Sequence, residues 1–522
     1  MTSHSDHPVR LPHPGLPFRL RARRGNGTLG RRVSVSAVLA LAGVLLTVTG
    51  TPAGALTGSS GPPGPGDREA TADANRRSLD GFWRVDGYGL VLGIAGGELQ
   101  PYETTKAGCL RSAPAHRVGG ADPDGTIHFA DMDGGVYLVR PAVRHGGAAS
   151  LRFEGSLGTH ALRRLGAPPA TCRVPTAADP LTTFDVFWET FRENYAFFGT
   201  RGVDWEAMRA EQRPKITAAT TENQLFDILA AMIEPLHDAH VGLRAETATI
   251  NRVAHWLRPD TLGPSSELDA KVQALVERRD LGGVPLRMFA NGAIGYADLP
   301  GGLGYLRITR FDGYTTGAGG YPADAAELAC ALDDIITSAR VSGPTAWRGL
   351  IVDDRVNSGG ADPLGLQIAA RLTDRPYLAY IKQARNDPDD ARAFTRPQPF
   401  RVEPAVHVPR YTGPVALLTA GSTVSAGETF AQALIGRPTT TTRIGDNTQG
   451  IFSDLLGRLL PNGWQFSLSN ERFLTRTGRS FEGPGIPPDI RTPVFTDDEF
   501  ANDRDSAFDR ARALLTGTPT RP

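Results

Sequence analysis

The amino-acid sequence predicts an α/β protein that begins with a small all-β domain, and three observations support this assignment. Over residues 79–172, short alternating runs such as GFWRVDGYGLVLGI are separated by Gly, Asp and Pro clusters, which indicates antiparallel strands. Over residues 180–255, apolar and aromatic residues recur at helical spacing, which predicts a helical subdomain. From residue 290 to residue 497, continuous apolar strands alternate with helices, as in a layered α/β core.

The N-terminal 78 residues differ in composition from the rest of the chain. Arginines precede the apolar stretch VSVSAVLALAGVLLTVTG, and small residues at 53–55 follow it, which predicts a secretory signal peptide over residues 1–55. Residues 56–78 are rich in Gly, Pro and Ser and are expected to form a flexible linker. A short membrane anchor is the alternative, but the apolar segment is shorter than the roughly 20 residues that span a bilayer. We therefore expect a secreted or cell-envelope protein with no integral membrane span after signal removal.

Charge and cysteine content narrow the class of partner. The 522 residues carry 56 basic and 56 acidic side chains, which gives no indication of a nucleic-acid partner and favours peptides, proteins or small molecules. Of the 3 cysteines, Cys109 and Cys172 could form a disulfide within the β domain, and Cys330 would then be a buried thiol. No CxxC or Cys/His cluster is present, so a structural zinc site is not expected.

The helical subdomain and the core contain the clearest individual elements. Thr221 and Gln224 form a capping box before a helix whose apolar stripe includes Leu225, Leu229 and Met232. In the core, strands GLGYLRITRF, RGLIVDDR and GPVALLTA alternate with helices DAAELACALDDIITSAR, PLGLQIAARL and GETFAQALIG. The segment GWQFSLSNERFLT is expected to form a hairpin. FANDRDSAFDRARALL is expected to form one amphipathic helix on the outside, with residues 498–522 as a C-terminal helix and tail.

Three short segments carry the candidate chemistry, and each lies at the end of a predicted element. They are LHDAHVGL (236–243), IVDDRVNSGG (351–360), and GSTVSAGETF (421–430) with the later SFEGPGIPPDI (480–490). Ser425 lies between the strand VALLTA and the helix ETFAQALI, so the Ala426 N–H at the helix start is unpaired and can stabilise an oxyanion. Gly359 and Gly360 would let a second main-chain segment approach the same position. A serine at this place is also commonly an ordinary N-cap, and NSGG is a common loop.

The three segments, in this order, resemble the C-terminal-processing, tricorn and interphotoreceptor retinoid-binding family of serine peptidases. Each family motif is matched: D-x-H by Asp238 and His240, D-x-R-x-N-x-G-G by Asp353, Arg355, Asn357, Gly359 and Gly360, and T-x-S-A-x-E by Thr423, Ser425, Ala426 and Glu428. The resemblance covers Pro180–Thr496. It implies a crotonase-like (ClpP/crotonase-type) core in a serine peptidase that needs no metal or organic cofactor. Ser425 would be the nucleophile, and Gly359, Gly360 and Ala426 would form the oxyanion hole.

The base of this site departs from the commonest family pattern. Many relatives activate the serine with a lysine in a T-x-G-K segment, but this chain has Ile451 in that position and no lysine after Lys382. The tricorn-like branch uses a histidine and a carboxylate, which here implies His240 as the base and Glu482 as its partner, although Ala239 stands where tricorn carries an additional serine. We expect the acid limb of the kcat/KM profile at or slightly above the free histidine pKa of about 6.5, because an ionised carboxylate favours imidazolium.

Alternatives remain open for the acid and for the activity. Glu428 could supply the acid, although its place one turn into a helix suits a capping role. The main rival to a peptidase is a non-hydrolytic protein that binds an apolar ligand or a peptide on the same scaffold, and the matched Ser, His and Glu favour the enzyme. An esterase of the α/β-hydrolase class would need G-x-S-x-G, and Thr423 stands where the first glycine belongs. Because the chain has no PDZ-length insertion, recognition of a substrate C-terminus is not implied. The oligomeric state is left open.

Overall fold

The computed structural model describes residues 79–142, 148–317 and 319–517. The predicted signal peptide (1–55) and linker (56–78) therefore lie outside the described residues. Within the described ranges a closed β domain, a helical region and a mixed α/β core follow one another along the chain. This arrangement confirms the mixed α/β class with an N-terminal β domain.

The N-terminal domain is an antiparallel sheet that closes on itself. Its strands are β1 (Gly81–Val85), β2 (Leu90–Ala95), β3 (Glu98–Thr104), β4 (Cys109–Arg111), β5 (Ala115–Val118), β6 (Ile127–Asp131), β7 (Val136–Pro141), β8 (Ala148–Phe153) and β9 (His160–Leu165). The order is β2-β1-β9-β8-β7-β6-β5-β3-β4, and an additional β2–β3 pairing completes the closure. Because side chains alternate across a strand, the paired residues Val139 and Leu151 both face the fully buried interior.

A disulfide ties this domain to the segment that leaves it. Cys109 on β4 is bonded to Cys172, which confirms the pairing that the sequence allowed. The expectation that Cys330 is a buried thiol is wrong, because its side chain is exposed. Cys330 lies in the helix Gly320–Ile335, whose buried face is formed by neighbours such as Leu328 and Leu332, so the cysteine is on the opposite side.

The helical region packs against the β domain and shares its core. Its helices are α1 (Pro180–Asn194), α2 (Phe198–Arg201), α3 (Trp205–Gln212) and α4 (Glu222–Ile233). The predicted capping box of Thr221 and Gln224 is present at the start of α4. One hydrophobic cluster extends from Trp83 on β1 through Phe187 on α1 to Phe466 in a later strand. The β domain and the helical region are therefore held together by a continuous apolar core.

The remaining elements form one large sheet, two smaller sheets and the helices that cover them. In chain order they are β10 (Gly242–Glu246), β11 (Asn251–His255), α5 (Ser266–Leu275), β12 (Arg287–Phe289), β13 (Ile294–Leu299), β14 (Leu303–Ile308), α6 (Gly320–Ile335), α7 (Ser338–Val341), β15 (Gly349–Asp353), α8 (Asp362–Ala370), β16 (Tyr377–Ala384), β17 (Gln398–Val402), β18 (Val415–Thr419), α9 (Ala426–Ile435), β19 (Thr441–Gly445), β20 (Leu455–Leu459), β21 (Gln465–Ser469), β22 (Glu471–Leu474), β23 (Ile490–Arg491), α10 (Asp497–Ala501) and α11 (Ser506–Thr516). Short 3-10 turns lie at Ala170–Arg173, Arg213–Lys215 and Glu234–Leu236, and a π turn lies at Val276–Asp280.

The large sheet has the order β12-β13-β14-β15-β18-β19-β23. Strands β14, β15, β18, β19 and β23 are parallel, so their carboxyl ends lie at one edge, where α/β proteins commonly place their functional groups. The smaller sheets have the orders β11-β10-β21-β20 and β17-β16-β22. The expected hairpin of GWQFSLSNERFLT is therefore wrong, because β21 and β22 belong to different sheets.

The C-terminal segment also differs from the expectation of one outer helix. It forms two helices, α10 and α11, with a break in which Asp505 caps α11 by accepting a hydrogen bond from the Phe508 N–H. Phe508 is fully buried and contacts the Tyr305 ring of β14, with ring centroids 5.8 Å apart. The second helix thus covers the large sheet and forms part of its core.

Candidate active site

Ser425 lies where strand β18 passes into helix α9, at the carboxyl edge of the parallel strands. It occupies the N-cap position of α9 with φ 55° and ψ −118°, and its side chain is half-buried. A residue other than glycine at positive φ is uncommon, and such strain, which costs about 1–3 kcal/mol, is often found at active sites. The Ser425 hydroxyl makes no capping hydrogen bond. This geometry is that of a presented nucleophile, whereas an ordinary N-cap serine would bond the helix N–H groups.

Two loops that follow neighbouring strands are joined beside Ser425. The loop after β15 and the loop after β18 form a parallel bridge between Asn357 and Thr423. The Asn357 N–H donates to the Ser422 carbonyl at 3.0 Å, and the Val424 N–H donates to the Asn357 carbonyl at 3.0 Å. The sheet therefore brings the NSGG and TVSAGE segments into contact.

Gly359, Gly360 and Ala426 lie close to the serine but do not offer equal N–H donors. A Cβ atom on Gly359, which has φ 84°, would lie 2.7 Å from Ser425 Cβ, so this close approach requires glycine. The Gly359 N–H donates to the Asn357 side-chain oxygen at 2.9 Å and is not free for an oxyanion. In the described part of the chain, the N–H groups of Gly360 and Ala426 donate to no other group. The structure narrows the three donors predicted from the sequence to these two.

A buried carboxyl group lies behind the glycine loop. Asp354 is fully buried, its Oδ1 accepts a hydrogen bond from Asn357 Nδ2 at 2.7 Å, and its Oδ2 has no partner. Burial raises the pKa of Asp354 well above its ordinary value, which outweighs the hydrogen bond from Asn357. Asp354 fixes the Asn357 amide, whose oxygen in turn holds the Gly359 N–H.

His240 lies in the loop that leads into β10, and its backbone is held on both sides. Its N–H donates to Asp238 Oδ1 at 3.0 Å, and its carbonyl accepts a hydrogen bond from the Ser467 hydroxyl at 2.8 Å. Burial lowers the pKa of the imidazole below its ordinary value, although the charges of Asp238 and Asp454 oppose this. The ring is therefore neutral at neutral pH and can accept a proton. This direction differs from the expected acid limb at or slightly above 6.5, because desolvation outweighs the neighbouring carboxylates.

The imidazole has no carboxylate partner among the residues that the structure describes. Its Nδ1 is buried without a hydrogen bond, and no hydrogen bond joins the ring to the Ser425 hydroxyl. His240 instead lies beside the Ser453 backbone, in the same loop that contacts the first turn of α9. Catalytic hydrogen bonds are often long in a free enzyme and shorten when substrate binds.

Two buried glutamates hold this loop through three successive N–H groups. Glu428 accepts from the Gly450 N–H at 2.7 Å and from the Ile451 N–H at 2.8 Å, and Glu482 accepts from the Phe452 N–H at 2.9 Å. Burial raises the pKa of Glu428 to about 7 and that of Glu482 well above its ordinary value. Both acids that the sequence offered as partners of the imidazole therefore bond to the loop that contains Ile451.

Lys382 is not placed to act as a base. It is buried, with Nζ 2.7 Å from Asp454 and 3.0 Å from Glu471, and it donates to the Leu157 carbonyl at 2.9 Å. Burial alone would lower the pKa of Lys382, but the charges of Asp454 and Glu471 raise it above its ordinary value. The amine is therefore held in its charged form by the two carboxylates.

The first residues of the D-x-R motif have a structural role. The fully buried Arg355 donates to both carboxylate oxygens of Asp353 at 2.9 and 2.7 Å and to Asp505 at 2.7 Å. Its guanidinium also lies 4.4 Å from the Phe495 ring centroid. Arg355 thereby joins the strand end that precedes NSGG to the C-terminal helices.

Sequence reasoning missed two residues of the site, Asp354 and Arg201. The second aspartate of VDDR, directly after an apolar strand, was a usable signal for Asp354, because a carboxyl at that position is close to the sheet interior. Arg201 lies in the turn FGTRG, outside the motifs, and has no sequence signal of its own.

The described ranges contain neither a candidate metal site nor a candidate membrane span. No group of three or more His, Cys, Asp or Glu residues is arranged to hold a metal ion there. No helix in this part of the chain is long and apolar enough to cross a bilayer.

Ser425 is strained at a strand-to-helix turn, and the Ala426 N–H beside it donates to no other described group, an arrangement that suits a serine hydrolase. Residues 302–492 match Peptidase family S41, and residues 176–234 match the Tricorn protease C1 domain. The chain therefore carries a peptidase family S41 domain and is a serine peptidase. No curated protein matches the chain.

Three of the solved structures that resemble this chain illustrate the range of similarity. A protein from Parabacteroides merdae ATCC 43184, described as a candidate peptidase, is 24% identical over 65% of this chain and 96% of its own, with a TM-score of 0.53. Mature CPAF is 14% identical over 65% of this chain and 96% of its own, with a TM-score of 0.45. The tricorn protease is 14% identical over 84% of this chain and 46% of its own, with a TM-score of 0.39.

Proposed function

We propose that the protein is an exported serine endopeptidase in which Ser425 is the nucleophile and His240 is the base. The observation that carries this proposal is the strained, uncapped Ser425 at the start of α9. Gly359 approaches the Ala426 nitrogen at the helix start, and the loop that Glu428 holds continues to Ser453, whose backbone lies beside the His240 ring. We also assign the α/β core to the crotonase-like class, which its parallel sheet and covering helices support.

The proposed reaction uses the groups already described. Ser425 Oγ attacks the carbonyl carbon of the scissile peptide bond while His240 takes the hydroxyl proton. The N–H groups of Gly360 and Ala426 stabilise the oxyanion of the tetrahedral intermediate. The imidazolium then gives its proton to the leaving amine, and water hydrolyses the acyl-enzyme by the same steps.

Glu482 has an indirect part in this Ser-His-Glu site. Its carboxylate accepts the Phe452 N–H and contacts Arg201 at 3.4 Å. Because the Ser453 backbone lies beside the His240 ring, the loop that Glu482 holds forms one wall around the imidazole. In this proposal Glu482 orients the base through the protein backbone.

Export is supported by two features of the chain. The N-terminal sequence has the basic, apolar and small-residue regions of a signal peptide. The Cys109–Cys172 disulfide is typical of proteins that fold in an oxidising compartment. A peptide or protein substrate and an extracytoplasmic location follow from this proposal.

The experiment compares two serines at helix starts, Ser425 and Ser265. The Ser265 side chain caps α5 by accepting the Leu268 N–H, whereas Ser425 makes no capping bond. Ser425→Ala should lower peptide hydrolysis on the order of 10⁶-fold with little loss of stability. Ser265→Ala should lose about 0.5–2 kcal/mol of stability, measured by urea unfolding, and keep its activity.

The opposite pattern would overturn the proposal. If Ser425→Ala unfolds more easily but still hydrolyses peptides, Ser425 is a structural residue. If the wild-type protein binds peptides or apolar ligands without any turnover, the non-hydrolytic rival is the correct function.

A further inference from the structure

Arg201, the last residue of α2, contacts three segments of the site. Its side chain is only 6% exposed. Nη1 donates to the His237 carbonyl at 3.3 Å, and Nη2 donates to the Gly450 carbonyl at 3.2 Å and to Glu482 Oε1 at 3.4 Å. The same Nη2 lies 3.7 Å from Asp238 Oδ2. One guanidinium thus reaches the histidine segment, the 450–452 loop and the SFEG segment.

Each partner of Arg201 is directly connected to a group that the proposed reaction needs. Asp238 accepts the His240 N–H and so fixes the backbone of the base. Gly450 begins the loop that Glu428, in the first turn after the nucleophile, holds by two hydrogen bonds. Movement of the guanidinium would therefore change the position of the base relative to the nucleophile helix.

The electrostatics of this cluster require the cation. The side chains of Asp238 and Glu482 are 0% and 1% exposed, and both approach the same nitrogen of Arg201. Asp238 Oδ2 also accepts the Tyr195 hydroxyl at 2.9 Å. Burial and the charge of Asp238 raise the pKa of Glu482, and the charge of Arg201 lowers it. The planar fork of arginine can serve several acceptors at once, whereas lysine offers a point charge. Arg201 therefore both neutralises and orients the two acids.

We propose that Arg201 is a positioning residue of the peptidase site, which sets the position of His240 relative to the 450–452 loop and, through Glu428, to Ser425. This inference rests on the proposed function. Among the described residues Arg201 makes no hydrogen bond with Ser425, and it acts through other groups rather than on the substrate. Its loss should therefore change kcat and leave KM nearly constant.

The test measures kcat and KM of full-length variants on a peptide substrate. Arg201→Met should lower kcat by about 10²-fold, the effect expected from a displacement of about 1 Å in a catalytic group. KM should change by less than about threefold, because no binding contact is removed. Arg201→Lys restores the charge without the fork, so kcat should recover only in part, to about tenfold below the wild-type value.

Arg371→Met is the matched control. Arg371 is also buried, and it donates to Asp333 at 2.7 Å and to the carbonyls of Leu332 and Ile336 at 3.2 Å, which belong to the core away from the site segments. This variant should lose stability but keep its kcat per folded molecule.

Three results would overturn the assignment of Arg201. They are a wild-type kcat in Arg201→Met, an equal loss of kcat in Arg371→Met, or an effect on KM alone. If Arg201→Met does not fold, the test is made with Arg201→Lys. A wild-type kcat in Arg201→Lys would then overturn the proposal. Failure of the proposed function is separate, because it would appear as hydrolysis that persists in Ser425→Ala.

Discussion

Substitution of Gly359 by alanine tests how tightly the nucleophile turn is packed. The new Cβ would lie 2.7 Å from Ser425 Cβ, 3.1 Å from the Val424 carbonyl oxygen and 3.2 Å from the Ala426 nitrogen. Since a contact of 2.7 Å is sterically forbidden, either the serine or the glycine loop must move. A displacement of about 1 Å at a catalytic group costs about 10²-fold in rate, and we expect kcat/KM to fall by that amount.

Gly463→Ala separates this steric effect from backbone strain. Gly463 has the same φ of 84° as Gly359, but no atom lies within 4 Å of the position of its added Cβ. Alanine at positive φ costs about 1–2 kcal/mol at both positions, so both variants should lose that much stability. Overpacking should add about 1–3 kcal/mol at Gly359 only.

The assay combines kcat/KM on a peptide substrate with urea unfolding of both variants. Loss of activity in Gly359→Ala together with full activity in Gly463→Ala is the expected result. A Gly359→Ala variant with wild-type kcat/KM would show that the close contact with Ser425 is not required for catalysis. If kcat/KM falls equally in the two variants, the effect comes from backbone strain alone.

The remaining predictions concern the protonation of His240 and the reactivity of the three cysteines. The kcat/KM of the wild-type enzyme should fall toward acid pH through one ionisation below about 6.5, because burial lowers the pKa of His240 and imidazolium cannot accept a proton. A limb at or above that value in the pH profile would contradict this account of the base. The free energy of unfolding should also decrease as pH falls below about 6.5. The buried His240 ring binds a proton less readily than the same ring in the unfolded chain, so protonation favours unfolding. In the native, oxidised protein iodoacetamide should modify only the exposed Cys330, as counted by mass spectrometry, and Cys109 and Cys172 should react only after reduction. Reduction should cost about 2–5 kcal/mol of stability, and an unchanged unfolding curve would refute that estimate.

The strands and helices of the core could be predicted because their sequence patterns match their burial. All five residues of β15 and of β18 are buried, as expected for parallel strands covered on both faces, and both strands are continuous apolar runs in the sequence. The place of Ser425 between a strand and a helix follows from these patterns. Its positive φ and its uncapped hydroxyl do not, because they depend on the neighbouring glycine loop.

The remaining differences come from packing between distant parts of the chain. Asn470 separates β21 and β22, which look like one hairpin in sequence, but their partner strands β10 and β16 lie in different sheets. The periodicity of a helix also does not show which face packs on the sheet, so the exposure of Cys330 could not be foreseen. The same limit applies to Glu482, since a motif places the acid in the site but does not show that its hydrogen bonds go to a loop and to Arg201.

The most direct test of the central claim is to map the residue that a fluorophosphonate modifies and to measure its rate of labelling. We predict a single adduct on Ser425, found by mass spectrometry of the digested protein. His240→Ala should slow labelling by about 10²–10⁴-fold, the usual contribution of a general base. His407→Ala, which changes a histidine in a separate segment, should leave the rate unchanged. An adduct on another residue, or labelling of His240→Ala at the wild-type rate, would contradict the assignment of Ser425 and His240 as nucleophile and base.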